Sequence, residues 1–274
     1  MNLTRVQCVF FSPCGSVKAY ATAVAEAAAQ TLSLPLHITD LTLPESRQIP
    51  LSFSADTLTV AAFPVYAGRL PNRLLPDLHR LFANGCGPAA ALVVYGNRSP
   101  DDALMELGLL LREHGLTPIA GAALVARHAF ASTLAPGRPS ADDLNQARTF
   151  GAALPALAAR MTPVSLPGND PVGPYYQPKG LDGQPTVFLK AKPVTDPAAC
   201  TGCGLCAKVC PVSAIDLADP TAVPGVCIKC QACLQVCPHG AKGWDDPAFL
   251  SHKAALERDF TARRENAYFP PLQV

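Results

Sequence analysis

Eleven cysteines stand among 274 residues, and eight of them fall into two runs of identical spacing. Cys200, Cys203, Cys206 and Cys210 read C-x2-C-x2-C-x3-C and are followed by Pro211; Cys227, Cys230, Cys233 and Cys237 repeat the pattern and are followed by Pro238. The copies lie 27 residues apart and agree beyond the cysteines at Val209 with Val236 and Ala214 with Ala241, whereas Gly202 stands against Lys229. This is an internal duplication, strict at the cysteines and weak around them. Three thiolates on a tight loop can each reach a different iron of one cubane, and the fourth ligand must come from elsewhere. Paired C-x2-C knuckles also serve structural zinc, but zinc ribbons set two knuckles across a long spacer, and a C-x3-C-P ending has little use in a zinc tetrahedron. The residues point to two four-iron, four-sulfur clusters, and hence to one-electron chemistry.

In two-cluster ferredoxins the fourth cysteine of each run ligates the other cluster, and the following proline turns the chain away. By that pattern Cys200, Cys203, Cys206 and Cys237 serve one cluster, and Cys227, Cys230, Cys233 and Cys210 serve the second. The segments Val212 to Leu217 and Gly240 to Trp244 are short and mostly small or apolar, fit to keep water from a cubane. Cys8, Cys14 and Cys86 lie outside the runs. Cys8, in an apolar stretch, reads as a small buried hydrophobe. Cys14 opens a helix, where a thiol pKa can fall, although plain loop packing is the simpler reading.

The first 160 residues read as alternating strands and helices. Apolar runs at Val6 to Phe11, Leu34 to Ile38, Leu58 to Phe63, Ala89 to Tyr95 and Ile119 to Ala126 predict five strands. Helical patterns fall at Val17 to Thr31, Leu70 to Ala83, Asp101 to His114 and Ala141 to Arg160. Such alternation implies a parallel sheet covered on both faces, with a ligand crevice outside the carboxyl ends of the strands. Three loops converge there. The first, Ser12 to Lys18, sets hydroxyls and backbone N–H groups at a helix start, where a phosphate is favoured. The second, Pro64-Val65-Tyr66-Ala67-Gly68-Arg69-Leu70-Pro71, and the third, Tyr95-Gly96-Asn97-Arg98, each put a tyrosine near a glycine and suit a flat ring. Arg69 and Arg98 are read as ligand contacts because each sits in such a loop, and His128, after the fifth strand, as either a ring neighbour or a satisfied loop histidine.

These pieces together resemble flavodoxin-like proteins fused to a two-cluster ferredoxin domain, a family found mainly in anaerobes. The residues that carry the resemblance are F-S-P-x-G-S in the first loop, P-V-Y-A-G-R-L-P in the second, V-V-Y-G-N-R followed by Asp101-Asp102-Ala103-Leu104, and the two cysteine runs. The resemblance implies a doubly wound five-stranded sheet of order 2-1-3-4-5 over residues 1–161 and a small α+β ferredoxin domain over 191–245. It further implies an FMN held by Ser12, Cys14, Gly15, Ser16, Val17 and Lys18, by Pro64, Val65, Tyr66, Ala67 and Gly68, and by Tyr95, Gly96, Asn97 and Arg98. The first loop departs from the usual T-x-T-G-N-T: Cys14, Ser16 and Val17 replace a threonine, an asparagine and a threonine, so two hydroxyl donors are lost while the backbone amides remain.

Between the domains, 162–190 is dense in proline and glycine and forms neither a long helix nor a central strand. It is either a loose tether or a packed strap, and Tyr175-Tyr176 with Val187-Phe188-Leu189 favour the strap. The tail, 246–274, carries a helical pattern from Pro247 to Arg264.

Lys+Arg 22 against Asp+Glu 21 gives a net charge of +1 and no basic stripe for nucleic acid. The apolar runs are too short for a membrane span, and no secretion signal opens the chain, which places it in the cytoplasm. No catalytic triad, paired loop carboxylates or G-x-G-x-x-G fingerprint is present, so no catalytic residue is assigned. The reading is an electron carrier that exchanges electrons with redox partner proteins; the alternative is an FMN-dependent reductase of a small molecule fed by the clusters. Oligomeric state stays open, a homodimer included.

Overall fold

A computed structural model describes residues 2–48 and 51–272. Strands β1 (Arg5–Phe10), β2 (Leu36–Asp40), β3 (Thr57–Pro64), β4 (Gly87–Tyr95) and β5 (Leu116–Val125) form a parallel sheet in the order β2-β1-β3-β4-β5. Because successive side chains point to opposite faces, Val6, Cys8 and Phe10 face one layer and Val9 and Phe11 the other. Helices α1 (Ser16–Leu32) and α4 (Ala141–Arg160) cover the first face; α2 (Leu75–Phe82) and α3 (Ala103–Glu113) cover the second. This is the doubly wound, flavodoxin-like arrangement, with β1 and β3 flanking the point where strand order reverses.

Local rules account for the elements. Eight of the nine buried residues of α1 are alanine or valine, and an alanine-rich helix costs little side-chain entropy. It ends at Ser33, whose left-handed backbone at φ 54° returns its N–H to Ala29 and Gln30 carbonyls. Helix α4 starts with a capping box between Ser140 and Asp143. Its Gly151 lets α4 lie against α1: a Cβ there would sit 2.2 Å from the Val24 carbonyl oxygen, so Gly151→Ala forces the two helices apart. Helix α2 is shorter than its periodicity predicts, because Pro71 and the turn closed by Leu74 N–H to Pro71 carbonyl occupy its first residues.

The sheet has one strand more than the five expected. β8 (Ala267–Phe269) comes from the tail and pairs antiparallel with β5, Ala122 opposite Tyr268. Three residues are too few to show a period, which is why the strand is invisible in sequence. Asn266 fixes it, its Oδ1 accepting from the Val125 N–H at 2.8 Å.

The proline-rich segment lies packed along the α2/α3 face. Leu166 fills the space over Gly108 and Gly121, and the carboxylate of Asp102, 7% exposed, accepts from the N–H groups of Asn169 (2.9 Å) and Gly173 (2.7 Å). Tyr176 N–H donates to the Ala67 carbonyl at 2.8 Å. Beyond it, β6 (Val194–Thr195) and β7 (Lys242–Gly243) form a two-stranded antiparallel sheet enclosing α5 (Leu205–Lys208) and α6 (Ala232–Val236), and α7 (Pro247–Asp259) follows, capped by Asp246. Among the described residues no helix is long and apolar enough to cross a membrane.

Candidate metal centres and the adjoining crevice

The duplication of the cysteine runs extends to backbone conformation. Gly202 and Gly204 adopt φ of 71° and 72°, and their counterparts 27 residues on, Lys229 and Gln231, adopt 59° and 70°. Glycine enters this region freely, but Lys229 and Gln231 each cost roughly 1 kcal/mol there. The second run therefore accepts strain to keep the loop shape that the first obtains from glycine. In return, N–H groups turn toward sulfur: Lys229 donates to Cys227 Sγ at 3.3 Å, and the equivalent pair Ala214 to Cys210 (3.2 Å) and Ala241 to Cys237 (3.3 Å) follow each proline. Such donors stabilise thiolate charge and raise a cluster's potential.

These loops enclose two cavities. One, of about 330 Å³ including space open to solvent, is bordered by Cys200, Cys203, Cys206 and Cys237. The other, of about 350 Å³ on the same measure, is bordered by Cys210, Cys227, Cys230 and Cys233. Each cavity thus takes three cysteines from one run and the fourth from the other. Their surroundings differ. Cys203 of the first is exposed, while Cys210, Cys230 and Cys233 of the second are buried among Val212, Ile215, Ile228 and Trp244. Lys242, 7% exposed, borders the first and holds the Thr195 hydroxyl and the Pro220 carbonyl, each at 2.6 Å.

The second cavity abuts the crevice at the strand ends. Cys14 donates its S–H to the Cys230 carbonyl at 2.7 Å, and Arg47 donates to the Pro211 carbonyl at 2.8 Å while pairing with Asp77 at 2.8 Å. Burial pushes the Cys14 thiol up to about 11, against the lowering by Arg127. Of the two readings of Cys14, a reactive thiol at a helix start and plain loop packing, the burial favours packing: desolvation outweighs the lowering by Arg127 and Gln235. Burial beside Cys230, Cys14 and Cys227 likewise raises the Tyr66 phenol.

The three crevice loops fare unequally. In the first, Ser12 Oγ accepts from the Lys18 N–H at 2.9 Å, leaving Ser16 and Val17 as first-turn donors without intrahelical partners. Gly15, at φ 85°, is exposed, and a Cβ there would meet nothing within 4 Å. In the second, Pro64 and Val65 lead into a two-residue turn at Ala67 and Gly68 (φ 49° and 80°) closed between Tyr66 and Arg69. In the third, Tyr95 is buried, Gly96 lies against His128, and Asn97, 2% exposed, donates to the Phe260 and Ala262 carbonyls and accepts from the Arg264 N–H.

Arg69 and Arg98, read as ligand contacts, are both engaged by groups of the protein itself. Arg69 pairs with Glu106 at 2.6 Å and donates to the Gly173 carbonyl; Arg98 pairs with Asp101 and lies 4.1 Å from the Tyr176 ring centroid. His128 accepts from the Ala131 N–H and stacks edge-on with Phe130. Asp102, Glu106 and Arg47, which fasten strap and cysteine module to the α/β domain, were not legible as such; only the Asp101-Asp102 pair marked the place.

Residues 199–241 match the family described as a 4Fe-4S dicluster domain. No curated protein matches the chain. Among solved structures, a flavodoxin from the domain Archaea is similar at 14% identity, 58% of this chain, 99% of that one and a TM-score of 0.41. A flavodiiron protein from Giardia intestinalis (16% identity, 58% of this chain, 37% of that one, TM-score 0.40) is also similar. So is the rubredoxin:oxygen oxidoreductase from the anaerobe Desulfovibrio gigas (14%, 59%, 38%, 0.40), and the chain spans under two fifths of these two proteins. The chain joins a flavodoxin-like α/β domain, defined by its own strand order, to a 4Fe–4S-binding domain, and such a domain supports electron transfer.

Proposed function

We propose that this protein is an electron carrier holding two 4Fe–4S clusters with crossed ligands, Cys200, Cys203, Cys206 and Cys237 for one and Cys227, Cys230, Cys233 and Cys210 for the other. The observation that supports it most is the composition of the two cavities, each bordered by four cysteines drawn three and one from the runs. A 4Fe–4S cluster supplies one-electron redox chemistry; the chain's residues supply its ligands, its dielectric and its distance from partners. Apolar side chains around the second set exclude water. The exposed Cys203 puts the first set at the surface, where a redox partner protein docks, and the Cys14–Cys230 contact puts the second set against the crevice.

FMN is the further cofactor in this reading, and the crevice fits its two ends differently. The phosphate end fits: Ser16 and Val17 are first-turn N–H donors, Gly15 is open, Lys18 is an exposed cation on the same loop, and the exposed Arg127 acts on the neighbouring Cys14. The ring loops, as packed, do not: the Ala67 carbonyl, Arg98 and Asn97 are engaged by Tyr176 and the tail. A ring between them requires Tyr176 to move. Anaerobic purification with iron, sulfide and flavin analysis tests both parts: about eight irons per chain supports the clusters, colourless protein or zinc alone refutes them, and bound FMN decides the second part separately.

A further inference from the structure

The carboxyl ends of α2 and α3 bring together three metal-ligating side chains that the cysteine centres do not use. His79 Nδ1 lies 3.0 Å from His114 Nε2 and 3.7 Å from a Glu113 carboxylate oxygen, and the three donor atoms fall within 4.8 Å of one another. His79 is in the last turn of α2, Glu113 ends α3 and His114 caps it. Two helix carboxyl ends thus aim partial negative charge at one spot, which favours a cation there.

The backbone holds the pair in place. Gly115, at φ 87°, packs so closely on the loop after α2 that a Cβ would sit 2.4 Å from the Gly85 carbonyl oxygen. His79 and His114 are therefore held in register by their own chain. Two neutral imidazoles in this contact share a single proton, and two imidazolium ions repel. Nitrogen atoms 3.0 Å apart, each about 2.1 Å from an ion, subtend about 90°, an angle within reach of zinc-class coordination.

We propose that His79, Glu113 and His114 form a binding site for a first-row divalent ion of the zinc class, which ties the end of α2 to the end of α3. Two imidazoles and one carboxylate are borderline donors that suit Zn²⁺, Co²⁺ or Ni²⁺ over Mg²⁺ or Ca²⁺. The side chains of His79 and Glu113 are 46% and 63% exposed, so the ion enters from solvent and keeps water in its remaining positions. Metal ligation needs the imidazole lone pairs free of protons, so affinity falls with acid.

The test is calorimetric titration of cluster-loaded, anaerobic protein with Zn²⁺ alone, in a Cys86→Ser background that removes an exposed competing thiol. The expected result is one Zn²⁺ per chain, weakened by about tenfold or more in His79→Ala and in His114→Ala, with Glu113→Gln intermediate. All three positions lie at the surface or its margin, and iron content and thermal midpoint report whether the variants fold. As a second reading, Zn²⁺ slows amide exchange across residues 79–85 and 110–115 in the parent and not in the variants. Equal affinity in parent and double histidine variant, or no saturable binding in the parent, overturns the proposal.

Discussion

The thiol of Cys14 and the carbonyl of Cys230 meet at 2.7 Å, joining the first crevice loop to the wall of the second cysteine cavity. One sulfur-to-backbone contact therefore links the α/β domain to the loop that carries three of the second set of cysteines. Its neighbours are the Arg47 bond to the Pro211 carbonyl and the buried Tyr66. The crevice and the cavity are thus neighbours by construction, whatever fills them.

That burial has a chemical consequence for the three cysteines outside the runs. Cys14 is pushed up to about 11 and Cys8 to about 12, so both are thiols at pH 8, where only thiolate reacts quickly. Iodoacetamide on cluster-loaded protein is expected to label exposed Cys86 and spare Cys8 and Cys14. Peptide mapping that finds Cys14 alkylated as fast as Cys86 contradicts the packing described.

Stability should fall in mild acid because of His128. Burial, then His252 and Arg98, lower its pKa to about 4, against about 6.5 in an unfolded chain. Between those values the unfolded state binds the extra proton, so stability declines as pH drops from about 6.5 toward 4, by roughly 2 kcal/mol at pH 5. Denaturant midpoints of the wild type and His128→Gln, compared at pH 7 and 5, check this; an unchanged pH dependence in the variant is the adverse result.

The strap depends on Asp102. Its carboxylate, held below the ordinary range by the N–H groups of Asn169 and Gly173 in spite of burial, has no substitute acceptor when removed. Asp102→Ala is expected to cost about 1–3 kcal/mol and to expose 163–190 to protease while iron content stays. Wild-type protease resistance in the variant would mean that the strap is held elsewhere.

Much of the architecture was readable before the structure. The five parallel strands announce themselves as apolar runs because both faces of that sheet are covered, and the cysteine spacing carries the loop geometry. What stayed hidden was set by contacts distant in sequence. β8 is a strand only because β5 offers an open edge, and the engagement of Arg69 by Glu106 and of Arg98 by Tyr176 joins residues 37 or more positions apart. The left-handed turns at Lys229 and Gln231 contradict residue preference, and only the alignment with Gly202 and Gly204 exposes them.

Flavin binding has its own test at the open end of the crevice. Arg127→Glu reverses an exposed charge that lies near Cys14, and it is expected to weaken FMN by about tenfold, roughly 1.4 kcal/mol, at low salt. Tyr176→Ala, which uncovers Arg98, is expected to strengthen it. Equilibrium dialysis that shows no effect of either change removes FMN from this crevice.

The crossed ligation is tested most directly by iron counted in one double variant. Cys200→Ala with Cys237→Ala removes two ligands of a single centre if the runs exchange their fourth cysteines, and one ligand from each centre if they do not. The account predicts about four irons per chain in that variant, against about eight in the wild type. Loss of nearly all iron, in a variant that keeps the α/β fold by circular dichroism, would contradict it.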